Sequence, residues 1–209
     1  MKLLILGASG LTGRELVKQA LAAGHEVTAF VRDPAKLDIR SDQLRVEVGN
    51  ILNRISLETA IPGHDAVLSA LGSPGLGKST ELSDGLRNII DVMELNGPKR
   101  LIFESGIGIG DSAEHVPWFT KHVFIPFVIK NIYADKEIQE RQIRESSLDW
   151  TIVRPAALTN GPRTGVYRHG DAISKERPAK KISRADTAEF MLRQLDDDTY
   201  LHKTPGLSY

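Results

Sequence analysis

The chain has 209 residues, a length that fits one α/β domain with a full hydrophobic core. Its 27 basic and 27 acidic side chains cancel, which argues against a nucleic-acid or membrane-surface partner and favours a small-molecule ligand. The absence of cysteine excludes disulfides, a thiolate nucleophile and cysteine-ligated zinc, and the N-terminus lacks a signal-peptide pattern, so a cytoplasmic protein is predicted.

Short apolar runs alternate with helical patterns along the chain. Buried strands are predicted at residues 2–6, 26–31, 44–48, 66–70, 100–104 and 151–153. Helices are predicted at 13–24, about 80–96, about 133–146 and from Ser183, where Ser183 and Asp186 resemble a capping box. This β–α alternation predicts an α/β fold of the Rossmann type, with a doubly wound, mainly parallel sheet. Ligands bind such sheets at the carboxyl ends of the strands.

The C-terminal part of the chain is less regular. Prolines and glycines after Arg154 mark loops, so we predict one domain over 1–209 in which about 155–182 form a substrate-side flap, with a short hairpin at 165–169. The earlier segment 116–132 is apolar but interrupted by prolines and charges, which argues against a membrane-spanning helix. It is interpreted as a substrate lid, a dimer face or a core helix, in a monomer or homodimer.

A glycine-rich turn follows the first predicted strand and opens the first helix. The pattern Gly7-x-x-Gly10-x-x-Gly13 permits a tight turn and a close backbone approach to phosphate, and the helix N-terminus attracts a pyrophosphate. Ser9 and Thr12 add hydroxyl groups beside the turn. The context predicts a dinucleotide cofactor, with contacts from Gly7, Ser9, Gly10, Leu11, Thr12, Gly13, Arg32, Asn50, Ala70, Leu71, Gly72, Ser105, Pro155 and Ala156.

Arg32 indicates which dinucleotide is bound. It ends the second strand, roughly 20 residues after the third glycine, where dinucleotide folds place the residue that faces the adenosine ribose. An arginine there favours a 2′-phosphate, so NADP(H) is predicted over NAD(H). Asp33 is the next residue, and it keeps NAD(H) open because a carboxylate accepts a hydrogen bond from a free 2′-hydroxyl.

A second phosphate-type motif competes with the first. Residues 72–79 (GSPGLGKS) match G-x-x-x-x-G-K-[ST] at every fixed position and also lie between a strand and a helix. The following strand ends at Glu104 where an ATPase would carry a magnesium-binding aspartate. We therefore interpret 72–79 as a glycine-rich loop with Gly72 beside the dinucleotide, and ATP hydrolysis is the weaker alternative.

Three side chains are candidates for catalysis. Ser105 places a hydroxyl at the end of the fifth strand, although a serine that only caps a strand explains the sequence equally well. Tyr133 and Lys136 stand one residue short of the Y-x-x-x-K spacing of short-chain dehydrogenases, and a plain helix-surface pair is the alternative. The six histidines show no metal-binding spacing, so no metal site is predicted.

Four segments carry a resemblance to a known family. They are the turn 7–13 and the runs 27–34 (VTAFVRDP), 148–155 (LDWTIVRP) and 182–188 (ISRADTA). Over essentially its whole length the chain resembles atypical short-chain dehydrogenases of the NmrA-like group, most of all the biliverdin-IXβ reductase and flavin reductase branch. The resemblance implies an NADPH-dependent reductase of a flavin or similar planar, conjugated acceptor, with Ser105 near the nicotinamide.

One departure from this branch concerns the acceptor. Its mammalian members carry a histidine after the sixth strand, where this chain reads Pro155-Ala156-Ala157-Leu158, which counts against tetrapyrrole reduction more than against flavin reduction. Ser105, Trp118, Phe119 and Pro155 are predicted to wall the acceptor. The alternatives are a non-catalytic NmrA-type regulator that senses NADP(H), and an enzyme resembling sugar-nucleotide epimerases or dehydratases.

Overall fold

The computed structural model describes residues 1–73, 75, 77–110, 112, 130–173 and 181–209. Its helices are α1 (Leu11–Ala22), α2 (Arg54–Ala60), α3 (Glu81–Asn96), α4 (Lys130–Glu145) and α5 (Arg184–Arg193). Its strands are β1 (Lys2–Leu6), β2 (Glu26–Val31), β3 (Leu44–Val48), β4 (Ala66–Ser69), β5 (Arg100–Glu104), β6 (Asp149–Pro155), β7 (Leu158–Thr159), β8 (Arg168–Gly170), β9 (Ile182–Ser183) and β10 (Gly206–Ser208).

A sheet of eight strands in the order β3-β2-β1-β4-β5-β6-β10-β8 forms the centre of the described structure. Its neighbouring strands are parallel except for the edge pair β10–β8. Strands β2 and β3 lie on one side of β1, and the chain then returns to place β4 on the other side. Open α/β sheets bind ligands at the carboxyl ends of the strands where the order reverses in this way. The predicted Rossmann-type fold is therefore confirmed.

Strand β1 is buried on both faces of the sheet, which explains its continuous apolar run. Leu3 and Ile5 pack in the layer that contains residues of α1 and α5, whereas Leu4 and Leu6 pack in the layer that contains residues of α2, α3 and α4. Successive side chains of a strand point to opposite faces, so both layers draw on β1. Full burial of one such side chain stabilises the fold by about 1.5–3 kcal/mol. This packing fixes the position of the turn that follows β1.

Most predicted elements agree with the structure, and the differences have local causes. The strand predicted at 66–70 ends at Ser69, and the strand predicted at 151–153 is the centre of the longer β6. The sequence patterns miss α2 and β10, which have only 7 and 3 residues. Periodicity over so few residues does not distinguish an element from a loop.

The prediction of a short hairpin at 165–169 is wrong. Strand β8 pairs with β10 near the C-terminus, in antiparallel register, and not with a neighbouring residue in the loop. The loop before β8 is held elsewhere, because the Asp186 carboxylate accepts from the backbone amides of Thr164 (2.7 Å) and Gly165 (2.9 Å). A local turn pattern does not reveal a strand partner that lies outside the loop, and β10 follows only after α5.

The start of α5 confirms the predicted N-cap at Ser183 and is also hydrogen-bonded to the C-terminal residue, Tyr209. Ser183 is the N-cap, and its hydroxyl accepts from the Asp186 amide at 2.9 Å. In a capping box the Asp186 side chain would accept from the Ser183 amide. Here the Tyr209 hydroxyl accepts from that amide at 3.1 Å and donates to Asp186 Oδ2 at 2.7 Å. Burial raises the pKa of Asp186, but the hydrogen bonds from Tyr209, Gly165 and Thr164 outweigh it and hold the pKa below its usual value.

Two expectations fall on residues outside the described ranges. Most of the segment 116–132, interpreted as a lid, a dimer face or a core helix, is outside them, because the description resumes at Lys130. The predicted acceptor walls Trp118 and Phe119 are outside as well. None of the described helices is both long and apolar enough to span a membrane.

Candidate cofactor-binding and active site

The turn between β1 and α1 requires glycine at two of its positions. Gly7 has a φ of +75°, and a Cβ there would lie 2.5 Å from the Ala70 carbonyl oxygen at the end of β4. A Cβ on Gly13 would lie 2.1 Å from the Gly7 carbonyl oxygen. Both distances are far below any tolerated contact, so a side chain at either position would push α1 away from the sheet.

The N-terminus of α1 presents amide groups at the mouth of this turn. Gly10 is the N-cap and its own amide closes the turn onto the Gly7 carbonyl at 2.9 Å. No side-chain cap bonds the first amides of α1, those of Leu11, Thr12 and Gly13, among the described residues. The first amides of a helix have no partner within it, and together with the helix dipole they bind anions. The turn therefore fits the pyrophosphate of a dinucleotide.

The Thr12 side chain is turned inward. It is only 6% exposed, and its hydroxyl donates to Glu104 Oε1 at 3.1 Å. What Thr12 offers an anion at the turn is therefore its backbone amide. The hydrogen bond from the Thr12 hydroxyl to Glu104 joins the start of α1 to the end of β5. Burial raises the pKa of Glu104, against the opposing effects of the nearby Lys136 ammonium and of this bond.

A cleft of about 240 Å³ extends from the turn over the ends of β2, β3 and β4. Of the predicted cofactor contacts, those that line it are Gly7, Ser9, Gly10, Arg32, Ala70, Leu71 and Gly72. Sequence reasoning missed an apolar wall that suits a flat ring system, formed by Phe30, Ile51 and Leu82 with Leu71. These residues follow or end three separate strands or begin α3, so only the assembled sheet brings them together.

Asn50 lies beside the cleft with its side chain folded onto its own turn. Its Oδ1 accepts from the Leu52 amide at 3.0 Å, and the side chain is exposed. The neighbouring residues Gly49 and Ile51 line the cleft. A cofactor contact from Asn50 stays a prediction.

The far end of the cleft carries charged groups. Arg32 Nη1 donates to Glu81 Oε1 at 2.9 Å, and both residues line the cleft. Asp33, the residue that kept NAD(H) open, is engaged locally, since its Oδ1 accepts from the Ala35 amide at 3.0 Å and its Oδ2 lies 3.6 Å from Lys36 Nζ. Sequence reasoning missed Glu81, which is 49 residues from Arg32 in the chain.

Ser105 follows β5 in a buried polar cluster. It is 7% exposed, and its hydroxyl donates to Glu140 Oε1 at 2.6 Å. Glu140 in turn accepts from Arg154 through Nε at 3.0 Å and Nη2 at 2.6 Å, and from Arg144 at 2.9 Å. A serine hydroxyl that donates its proton to a carboxylate can still accept hydrogen bonds through its oxygen lone pairs. The sequence singled out Ser105 but gave Glu140 no role, because α4 is remote from β5 in the chain.

Ser105, Pro155 and Ala156 lie at the next strand ends and not among the residues that line the 240 Å³ cleft. The Ser105 amide donates to the Val153 carbonyl at 2.7 Å, and the Ile107 amide donates to the Pro155 carbonyl at 3.0 Å. The carboxyl ends of β5 and β6 are thus bonded together beyond the turn. This geometry places the candidate reaction site one strand away from the cleft.

Tyr133 and Lys136 both reach this region from α4, but each bonds to the main chain. The Tyr133 hydroxyl donates to the Ile107 carbonyl at 3.1 Å, and Lys136 Nζ donates to the Glu104 carbonyl at 3.2 Å. Burial raises the pKa of Tyr133. Burial also lowers the pKa of Lys136, against the pull of nearby carboxylates. In this arrangement the ammonium does not lower the phenol pKa as it does in a Y-x-x-x-K pair.

The loop 72–79 contributes to the dinucleotide cleft and to the start of α3. Gly72 and Ser73 line the cleft, and Ser79 Oγ accepts from the Glu81 amide at 3.1 Å. Ser79 therefore has a structural role in the part of the loop that is described, which omits Pro74 and Leu76. No group of three or more histidine, aspartate or glutamate side chains suited to a metal ion occurs within the described ranges.

A parallel sheet whose glycine turn and cleft meet where the strand order reverses defines a Rossmann-type dinucleotide-binding protein. Residues 7–198 match a protein family described as NAD(P)H-binding. The chain belongs to this NAD(P)H-binding family.

Individual relatives and solved structures match nearly the whole chain. The uncharacterised protein YwnB of Bacillus subtilis is 30% identical over 207 residues, which cover 94% of this chain and 92% of the relative. A short-chain dehydrogenase/reductase of Veillonella parvula, solved in complex with NADP, has a TM-score of 0.84 at 19% identity and covers 100% of this chain and 94% of its own. An anaerobilin reductase of Escherichia coli O157:H7 has a TM-score of 0.82 at 22% identity, covering 100% and 97%. The predicted dinucleotide-binding family is confirmed, and the two solved structures share the fold of this chain.

Proposed function

We propose that the protein is an NADPH-dependent reductase that passes a hydride to a flavin or a similar planar, conjugated acceptor. The observation that carries the proposal is the cleft at the point of strand-order reversal. The glycine turn that leads into the N-terminus of α1 lines one end of it, and the Arg32 guanidinium, paired with Glu81, lines the other. A pyrophosphate needs amide donors, and a 2′-phosphate is matched by a guanidinium. The solved relative that holds NADP supports the same assignment.

The bound cofactor supplies the hydride, and the chain contributes binding and orientation. Ser105 offers its oxygen as an acceptor at the end of β5, because its proton is held by Glu140. A donor group of the cofactor or of the acceptor is oriented by this oxygen. Transfer to a conjugated acceptor takes its proton from solvent, so a buried tyrosine with a raised pKa is compatible with turnover.

The acceptor is assigned to the space beyond Ser105 and Pro155, next to the described loops of residues 156–173. Part of this segment is tied to α5 by the Asp186 carboxylate, which fixes the loop at Thr164 and Gly165. A flat acceptor is favoured because hydride transfer between stacked rings needs positioning more than acid catalysis. The matched anaerobilin reductase is a reductase with the same fold, which supports this class of reaction.

An acceptor panel tests the proposal. Purified protein is mixed with NADPH and, in turn, with FMN, FAD, a quinone and biliverdin, and the loss of absorbance of the reduced nicotinamide is followed. We expect oxidation of NADPH with at least one of these acceptors, FMN or FAD before biliverdin. Tight binding of NADPH without oxidation in the presence of any acceptor would contradict the proposal.

That outcome would favour the second candidate, a non-catalytic sensor of NADP(H). The observation behind it is that Tyr133 and Lys136 bond to main-chain carbonyls and do not form an activated pair. A sensor acts through a partner protein, so recovery of a partner only in the presence of NADP(H) would support it. A cytoplasmic location and a monomeric or dimeric state are proposed for either candidate, and sedimentation of the purified protein checks the second point.

A further inference from the structure

We propose that Glu81 sets the cofactor preference of the cleft, by neutralising Arg32 and by offering a carboxylate to a free ribose hydroxyl. The inference rests on the proposed binding of a nicotinamide dinucleotide. It changes the expected preference, because a site with Arg32 alone would select NADP(H) strongly. With Glu81 in place, the preference for NADP(H) over NAD(H) is modest, and NAD(H) also binds.

Among the described residues, three ion pairs lie in or near the cleft. Three cations each lie within 4 Å of a carboxylate: Arg14 with Asp38 at 3.6 Å, Lys36 with Asp33 at 3.6 Å, and Arg32 with Glu81 at 2.9 Å. Only the last of these three pairs is close enough for a hydrogen bond between the charged groups. A 2′-phosphate that bonds to Arg32 must therefore displace Glu81 or lie beside its carboxylate, where like charges repel.

Glu81 is the more enclosed member of the pair. It is the first residue of α3, its amide is bonded by Ser79 Oγ, and its side chain is 26% exposed, against 64% for Arg32. A carboxylate in the first turn of a helix is stabilised by the helix dipole. Arg32 is therefore the group that moves when a ligand enters, and Glu81 stays in the cleft.

A carboxylate in this position also has a favourable ligand. In NAD(H)-binding sites an acidic side chain accepts from the free 2′-hydroxyl of the adenosine ribose. Asp33, which also lines the cleft, is the residue that sequence spacing suggests for this, but its Oδ1 already accepts from the Ala35 amide and its Oδ2 lies near Lys36. Glu81 reaches the same end of the cleft from α3, so it takes this role without being near Arg32 in sequence.

The test is a comparison of dissociation constants for NADP⁺ and NAD⁺, measured by titration calorimetry on the full chain. We expect Glu81→Gln to tighten NADP⁺ and weaken NAD⁺, so that their ratio moves about tenfold towards NADP⁺, the effect of one charge contact. Asp84→Asn is the matched control. It removes one negative charge from the same helix turn, at an exposed residue that does not line the cleft, and we expect the ratio to stay unchanged.

A second pair of variants isolates the coupling. In an Arg32→Ala background, Glu81→Gln should tighten NADP⁺ by a smaller factor than in the wild type, because Arg32 is no longer there to be neutralised and only the direct repulsion of the 2′-phosphate is relieved. Glu81→Asp, which keeps the charge but shortens its reach, should move the ratio in the same direction as Glu81→Gln by a smaller factor. If Glu81→Gln lowers the melting temperature, Glu81→Asp replaces it as the test variant.

The outcomes separate this inference from the proposed function. An unchanged ratio in Glu81→Gln, or an equal shift in Asp84→Asn, overturns the role of Glu81 while leaving the cofactor site in place. If the wild-type chain binds neither NADP⁺ nor NAD⁺, the proposed cofactor site itself is wrong and the inference falls with it. Both outcomes can be distinguished without enzymatic turnover, since the experiment measures only the binding of NADP⁺ and NAD⁺.

Discussion

The Ser105 hydroxyl donates to Glu140 Oε1 at 2.6 Å, and both residues are almost completely buried. The bond is in the short range typical of a hydroxyl on a carboxylate. The carboxylate is held from the other side by the fully buried Arg154. Helix α4, strand β6 and the end of β5 are therefore joined by one polar cluster, and the orientation of Ser105 depends on side chains of α4 and β6.

The first prediction concerns the stability of this cluster. Glu140→Gln removes the charge that balances buried Arg154, and we expect the free energy of unfolding to fall by about 3–5 kcal/mol. Urea denaturation of the variant and of Glu137→Gln, an exposed position on the same helix, measures the difference. A loss of similar size at Glu137, or none at Glu140, would contradict the assignment.

The second prediction concerns the Ser105 hydroxyl itself. Ser105→Ala leaves Glu140 bonded to Arg154, so the fold should persist while the oxygen that orients the ligand is lost. We expect kcat/KM for the best acceptor to drop by about tenfold or more, with little change in the melting temperature. Unchanged kinetics with an active acceptor would mean that Ser105 only caps the strand.

The third prediction concerns the glycine turn. Gly7→Ala would bring a Cβ within 2.5 Å of the Ala70 carbonyl oxygen, in a backbone conformation that favours glycine. We expect a loss of NADP⁺ and NAD⁺ binding and a lower melting temperature. Gly161→Ala is the matched control, because its Cβ would make only ordinary contacts at 3.6 Å. Equal nucleotide binding by both variants would exclude the turn as the phosphate site.

The fourth prediction concerns acid stability. The pKa of Asp186 in the fold lies below its ordinary value of 3.8, because the hydrogen bonds from Tyr209, Gly165 and Thr164 outweigh the effect of burial. A lowered native pKa contributes stability that is complete above the unfolded pKa and is lost as the pH falls through the native pKa. Unfolding free energies measured from about pH 6 to about pH 2 should therefore decline at the acid end.

Tyr209→Phe tests the source of that decline. It removes the donor to Asp186 and leaves the Ser183 amide without this acceptor, so it should cost about 1–3 kcal/mol near neutral pH. It should also flatten the acid decline, because the native pKa of Asp186 returns towards the unfolded one. An acid profile identical to that of the wild type would show that Asp186 does not control it.

Local patterns in the sequence predicted much of the fold. The alternating runs locate β1, β2, β3 and β5 at their observed bounds, and Ser183 identifies the start of α5. These features are readable because each is encoded within a few consecutive residues, by side-chain periodicity, by a cap or by a backbone angle. The same reasoning failed for β8, whose partner β10 lies outside the local loop, at the C-terminus.

The glycine turn and Arg32 were therefore determined by the sequence itself, as parts of a strand, a turn and a helix that are contiguous in the chain. Only the tertiary structure decided that Glu81 faces Arg32, 49 residues away, and that Glu140 holds Ser105, 35 residues away. Neither pair has a spacing rule, because the contact arises from how α3 and α4 pack on the sheet. The proposed phosphate site is therefore predictable from the turn, whereas the positions of the Glu81 carboxylate beside Arg32 and of the Glu140 carboxylate beside Ser105 depend on packing.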